Sequence, residues 1–191
     1  IRVAANGAGV NAGILALGGC LPLPHADIGH RCAHFHNEVL KHLPEWQRDR
    51  GLKGIILAGR WGHEMGVDSP TLAEKKPQSQ HTYFDQRATS TLQALGYLES
   101  SLRSIVETAA HDDLRVLIVL PSPVQRVAPP HCLSVRAASE CFVTLGEMAR
   151  YAQGVEDVIR HVADGQVHVR LLDPKEFLCS QGRCPAMLNG A

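Results

Sequence analysis

Thiols and imidazoles are the first groups in this chain able to do chemistry. Six cysteines, Cys20, Cys32, Cys132, Cys141, Cys179 and Cys184, follow one another as three close pairs, with no Cys-x-x-Cys among them. Local pairing is the simplest connectivity, Cys20 with Cys32, Cys132 with Cys141 and Cys179 with Cys184, and an even, locally paired set points to an oxidising compartment. The other reading is a set of unrelated reduced thiols. Eleven histidines invite a metal reading as well. Cys20, His25, His30, Cys32, His34 and His36 crowd one short segment, and thiolate with imidazole is a zinc-type ligand set. Their spacing is irregular, no carboxylate is placed as a partner, and oxidation of Cys20 to Cys32 would remove the thiolates. The expectation is therefore no metal and no cofactor.

A second group of candidates stands where apolar runs end. Gly18 and Gly19 follow Ala12–Leu17, Arg60 and Trp61 follow Leu52–Gly59, Pro121 and Ser122 follow Leu114–Leu120, and Asp173 follows Val167–Leu172. In an open parallel sheet ligands bind beyond the carboxyl ends of the strands. Glycines at such a turn let backbone N–H groups approach an oxyanion, and an arginine stabilises negative charge developing there. The plain alternative is that Gly18-Gly19 turns the chain and Trp61 caps the core. No Gly-x-Ser-x-Gly elbow, Walker loop, Gly-x-Gly-x-x-Gly or His-Glu-x-x-His occurs. Ser122 sits between two prolines with no helix directly after it, so it reads as a loop serine. His63 and His131 read as loop residues and His161 as a solvated helix residue.

The elements that must position these groups come from hydrophobic period. Ala12–Leu17 is a short apolar run broken by Gly18-Gly19-Cys20 and prolines, which predicts a strand passing into a loop that continues to Cys32. From Ala33 to Arg50, Phe35, Val39, Leu40, Leu43 and Trp46 recur at helical spacing. Leu52–Gly59 predicts a strand covered on both faces, and 65–80 an exposed excursion. A helix is expected from about Asp85 to His111 on Leu92, Leu95, Leu98, Leu102, Ile105 and Val106, with Gly96 a weak spot. Leu114–Leu120 is the next strand, stopped by Pro121. A proline-rich loop then reaches Cys132. Ser139–Val162 reads as one helix, with Leu145, Met148, Val155, Val158, Ile159 and Val162 as its apolar set and Gly154 interrupting it, and Val167–Leu172 as the last strand. Strands separated by amphipathic helices imply crossover connections, so the fold class is α/β with a mainly parallel sheet.

Composition narrows the function classes. Lys+Arg 19 balances Asp+Glu 19, unlike a nucleic-acid binder, which concentrates positive charge. No stretch reaches the roughly 18 consecutive apolar residues of a membrane span. At 191 residues, without an internal repeat or linker, 1–191 reads as a single domain. Because the sequence opens on Ile1 without a leader and stops at Asn189-Gly190-Ala191, it is expected to be incomplete.

Taken together, these residues resemble a known family. Gly19-Cys20-Leu-Pro-Leu, Cys32-Ala-x-Phe35-x-x-x-Val39-Leu, and a strand ending Ala58-Gly59-Arg60-Trp61 are similar to the SGNH domain fused to bacterial membrane acyltransferases. Pro121-Ser-Pro, Pro130-His-Cys132, Leu171-Leu-Asp173-Pro, and Leu178-Cys179 with Cys184 resemble that family's later loops and its late disulfide. The resemblance implies a three-layer, flavodoxin-like SGNH hydrolase fold on the periplasmic face of the inner membrane. It implies transfer of acyl groups, commonly acetyl, to a surface polysaccharide such as lipopolysaccharide. The acyl donor would be relayed by the fused membrane domain.

Parent GDSL-type enzymes carry a nucleophile in a Gly-Asp-Ser after their first strand and an Asp-x-x-His near their end. On this resemblance the first block falls before Ile1 and the second just after Ala191, so no catalytic triad residue is assigned within the chain. Gly19 takes the place of the glycine whose N–H helps form the oxyanion hole. Gly59-Arg60-Trp61-Gly62 stands where the family has Gly-x-Asn-Asp, so Arg60 or the local backbone would replace the asparagine donor, with Trp61 beside it as a substrate-binding candidate. Two other readings stay open, a non-catalytic extracytoplasmic glycan-binding module on this fold and a metal-binding protein built on the histidine cluster.

Overall fold

The computed structural model describes residues 12–15, 20–23, 30–59, 61, 88, 90–125 and 128–187. The order is α1 (His30–Arg50), β1 (Gly54–Leu57), α2 (Thr91–His111), β2 (Arg115–Val119), α3 (Pro129–Val135), a 3-10 turn (Ala138–Glu140), β3 (Phe142–Thr144), α4 (Leu145–Ala163), β4 (Val169–Leu172), α5 (Lys175–Leu178) and β5 (Arg183–Pro185). β1, β2 and β4 form a parallel sheet in the order β1-β2-β4, and β3 and β5 form a separate antiparallel pair. This is the expected α/β class with its parallel sheet and helical crossovers.

Each main element has a local cause. Ser90 caps α2, its Oγ accepting from the Gln93 N–H, and Ala94, Leu98, Leu102, Ile105, Val106 and Ala109 recur along one buried face. α1 ends at Arg50 because Gly51 takes a left-handed conformation (φ 63°), which costs glycine nothing. Gly54 opens β1 where a Cβ would meet the Arg115 carbonyl oxygen at 2.5 Å, so glycine is what lets the two strands close. Val116 and Ile118 of the central strand are buried among Leu98, Leu102, Ile105, Val155 and Ile159. Gly154, expected to interrupt its helix, sits 3.3 Å (from an added Cβ) from Leu95, where α2 and α4 pack together.

Several expectations are corrected. Residues 12–15 have no regular structure, with Ile14 and Leu15 each 58% exposed, so the predicted Ala12–Leu17 strand is absent over that part; 16 and 17 lie outside the described residues. β1 is not covered on both faces, since Ile56 is 56% exposed. Leu92, at 80% exposed, lies off the buried face of α2, two residues and so about 200° around the helix from buried Ala94. The proline-rich loop after Leu120 does not run on to Cys132 but gives way to α3 at Pro129: Pro129 and Pro130 occupy the first turn, where a missing N–H costs nothing, and His131 is helical rather than in a loop. The single helix over Ser139–Val162 is broken into a 3-10 turn, β3 and α4, and Leu145 stays exposed at the start of α4. The break comes from Thr144, which ends β3 and caps α4 in a capping box with Glu147. Val167 lies in the turn before β4. The 65–80 excursion lies outside the described residues.

Candidate functional site

The carboxyl ends of the three parallel strands fall together, because the register pairs Leu57 with Ile118 and Val119 with Leu172. The described residues leaving them, 58–59 with 61, 120–125 and 173–174, therefore share one edge of the sheet, where an open α/β fold places its ligand. The Leu120 N–H donates to the Leu172 carbonyl at 2.9 Å, carrying the β2–β4 ladder one step past the strand ends.

The loop after β1 is fixed from two directions. Trp61 is 1% exposed, and its indole Nε1–H donates to the Val119 carbonyl at 2.7 Å. Gly59 lies under the 20–23 segment: a Cβ there would meet Leu21 Cδ2 at 2.8 Å and Pro22 Cδ at 3.2 Å. That segment is anchored in turn by buried Leu21 and Leu23 and by the Cys20–Cys32 disulfide to α1, with Cα atoms 5.5 Å apart. His36 of α1 faces it as well. Burial pushes this imidazole below its usual range, with hydrogen bonding to the Leu21 backbone partly offsetting the shift, and its Nε2 is buried without a partner.

The loop after β2 is clamped to α4 and to the small sheet. Pro121 is buried and Ser122 exposed. Tyr151 Oη–H donates to the Val124 carbonyl at 3.1 Å, and Gln125 Nε2 donates to the Cys184 carbonyl at 2.9 Å. Burial raises Tyr151 above the usual phenol range, the Val124 bond opposing and Glu147 adding to the rise. After β4, Asp173 is engaged: Oδ1 accepts from the Lys175 backbone N–H at 3.0 Å, and Oδ2 lies 3.3 Å from Arg160 and 3.4 Å from Lys175. Glu156 joins both cations, at 2.7 Å from Arg160 and 2.5 Å from Lys175. Burial pushes Glu156 up, but the hydrogen bonds and charges of Lys175 and Arg160 outweigh it and hold the carboxyl below the usual glutamate range.

Of the candidates read from the sequence, Gly19 and Arg60 lie outside the described residues, and Trp61 stands at the strand edge with its ring buried. All three local cysteine pairs are bonded: Cys20–Cys32, Cys132–Cys141 and Cys179–Cys184. The first removes the thiolates of the histidine-rich segment, and among the described residues no cluster of metal-type ligands forms. His161 sits exposed on α4, 3.6 Å from Glu99. Sequence reasoning missed the Leu21–Gly59 packing and the clamps by Tyr151 and Gln125. The first sets a leucine side chain on a glycine and the clamps use backbone carbonyls; both join residues far apart in the chain and carry no sequence signature.

This arrangement of parallel strands with bonded strand-end loops has a family match. The chain belongs to the family described as SGNH domain (fused to AT3 domains), whose model matches residues 1–191. No curated protein and no solved structure matches it. The family makes this an acyltransferase-associated domain of the SGNH hydrolase type, whose membrane partner is the fused AT3 domain. No described helix is long and apolar enough to cross a membrane.

Proposed function

We propose that this domain completes a periplasmic acyltransferase that moves an acyl group, acetyl by family default, onto a surface glycan through a serine ester. The observation that supports the reading is the bonded carboxyl edge of the sheet, where the 20–23 segment packs on Gly59 and Trp61 is tied to Val119, at the strand ends where an open α/β fold binds its ligand. Three disulfides agree with an extracytoplasmic site. In this reading residues 1–191 form one incomplete domain, and the nucleophile and Asp-x-x-His blocks lie outside it. β1 has no neighbour on its outer side among the described residues, and Ile56 is exposed beside that free edge, as expected if a further strand pairs there.

Chemically, a histidine would take the serine proton and an aspartate orient the histidine, while donors near Gly19 and Arg60 stabilise the tetrahedral oxyanion. The acyl donor's leaving group would depart with that proton; a sugar hydroxyl would then attack the serine ester, giving its proton to the histidine, which returns one to the serine oxygen as the C–O bond to serine breaks. The test compares the full-length protein with residues 1–191 alone, using an activated acetyl ester and, as acceptor, the surface polysaccharide. Turnover by the full-length protein and none by residues 1–191 supports the reading. Turnover by residues 1–191 that Ser122→Ala abolishes would overturn the placement of the nucleophile. Glycan binding by a full-length protein that neither hydrolyses the ester nor acylates the polysaccharide would establish a non-catalytic binding module instead.

A further inference from the structure

We infer that Trp61 is a positioning residue of the acyl-transfer site, acting through the backbone of the strand-end loops rather than by contact with oxyanion or sugar. The inference rests on the acyl-transfer reading above, and it replaces the substrate-binding role that the position of Trp61 beside Arg60 suggests.

Three observations carry it. First, the ring is 1% exposed and belongs to the main hydrophobic cluster, so no face is free to stack on a sugar. Second, indole has a single donor and no acceptor, and that donor is used at 2.7 Å on Val119. Nothing polar is left to aim at an oxyanion. Third, the acceptor is the last residue of the central strand, and the next residue, Leu120, continues to Leu172. The bond therefore closes a chain of links along the sheet's carboxyl edge. The Cys20–Cys32 disulfide fixes the 20–23 segment to α1, Leu21 and Pro22 rest on Gly59, Trp61 binds Val119, and Leu120 binds Leu172. Of these links, only the indole bond joins the loop after β1 to β2 beyond the strand ladder itself.

The links fix Cys20, Gly59 and Trp61, the described residues next in sequence to the two candidate donors. Catalysis by preorganised donors tolerates little displacement; a shift of about 1 Å costs on the order of 100-fold in rate. Loss of the indole bond should therefore appear in kcat, with KM nearly unchanged because the ring does not touch substrate.

The experiment uses the full-length protein and Trp61→Phe, which keeps an aromatic ring in the core and removes the N–H. Hydrogen exchange followed by mass spectrometry should show faster exchange in peptides spanning 58–61 and 119–122 than in the unsubstituted protein. Acetyl-ester turnover should fall roughly 10-fold or more in kcat with KM within about 2-fold. Unchanged exchange overturns the inference, as does faster exchange with undiminished kcat, and as does a loss confined to KM, which would put the ring on the substrate. If Trp61→Phe does not fold, the 15N-labelled indole N–H of the unsubstituted protein decides. Exchange on the order of 100-fold slower than a free indole supports the bond, and exchange at the free rate overturns it. A full-length protein with no acyl turnover overturns the acyl-transfer reading, while the exchange measurements still decide whether Trp61 ties the two loops.

Discussion

Around the parallel sheet the chain is held by apolar burial, with Leu98, Leu102, Ile118, Val155 and Ile159 at 0% exposure and helices α2 and α4 packed over it. Around β3 and β5 the buried set is small: Val143, Met148, Tyr151, Ala152 and Cys184, with Val124 and Cys179 at its margin. Two of the three disulfides, Cys132–Cys141 and Cys179–Cys184, lie in this second region. Its hairpin also turns tightly, with Gln181 and Gly182 both left-handed between the paired residues Ser180 and Arg183. A short two-stranded sheet does not bury enough surface to hold itself together, so crosslinks, a turn and a cap supply what burial cannot. The two regions meet at the loop after β2, which Tyr151 ties to α4 and Gln125 ties to the small sheet.

If that contrast is correct, the largest single effect comes from the parallel-sheet core. Leu98→Ala should cost about 2–5 kcal/mol, from lost transfer energy and the cavity left behind. Denaturant unfolding should show a lower midpoint at unchanged slope. A cost under about 1 kcal/mol would mean that the α2 face is not the core of this domain.

Next in size is the covalent support of the small region. Joint replacement Cys132→Ser and Cys141→Ser should cost about 2–4 kcal/mol and free the β3–β5 amides to exchange while β2 stays protected. Peptide mapping without reduction should return the three local linkages in the unsubstituted protein. Equal loosening of β2 would show one cooperative unit rather than two differently held regions.

The same contrast explains what could be read from the sequence. The α2 face and strands β1, β2 and β4 announce themselves because burial against a neighbour imposes a hydrophobic period, and the cysteine pairs because loop closure favours near partners. Leu92, Leu145 and Ile14 carry the right side chain at sites that packing leaves exposed, so period alone mislabels them. Strand β3 is three residues long, too short to show a period, and its apolar Phe142 and Val143 blend into the helix behind them. Two signals there were nonetheless visible: Thr144 followed by Glu147 as a capping box, and Gln181-Gly182 between Cys179 and Cys184 as a hairpin turn. At the site, the strand-end rule selects one edge of the sheet, where the segments after β1, β2 and β4 come together. It left open whether Trp61 faces a ligand or caps the core, and it did not reveal that Asp173 is committed to Lys175 and Arg160; the indole bond to Val119 and the Arg160 contact join residues well separated in the chain.

A smaller effect tests the cap that separates β3 from α4. Thr144→Ala removes the side-chain acceptor of the Glu147 N–H and should cost about 1 kcal/mol. Thr144→Ser keeps that oxygen and should restore most of the loss. If the alanine variant unfolds like the unsubstituted protein, the junction is held by the Leu145 N–H bond to the Gly182 carbonyl instead.

The smallest expected effect lies at the seam, where Glu156 on α4 meets Lys175 on α5 and Arg160 with Asp173 nearby. Because Lys175 and Arg160 hold the Glu156 carboxyl below its ordinary value of 4.5, the folded protein binds its proton less readily than the unfolded chain does. This contribution is complete above the ordinary glutamate range and is lost as the pH falls through the lowered folded value. Arg160 is half exposed, so solvent screening keeps the contribution below about 1 kcal/mol. Glu156→Gln should therefore melt slightly below the unsubstituted protein at pH 7, and the gap should close as the pH is taken below the ordinary glutamate range. High salt at pH 7 should narrow it too. A gap that widens in acid would give Glu156 a raised rather than lowered proton affinity and would remove the ion network as the link between the main sheet and the disulfide-bonded region.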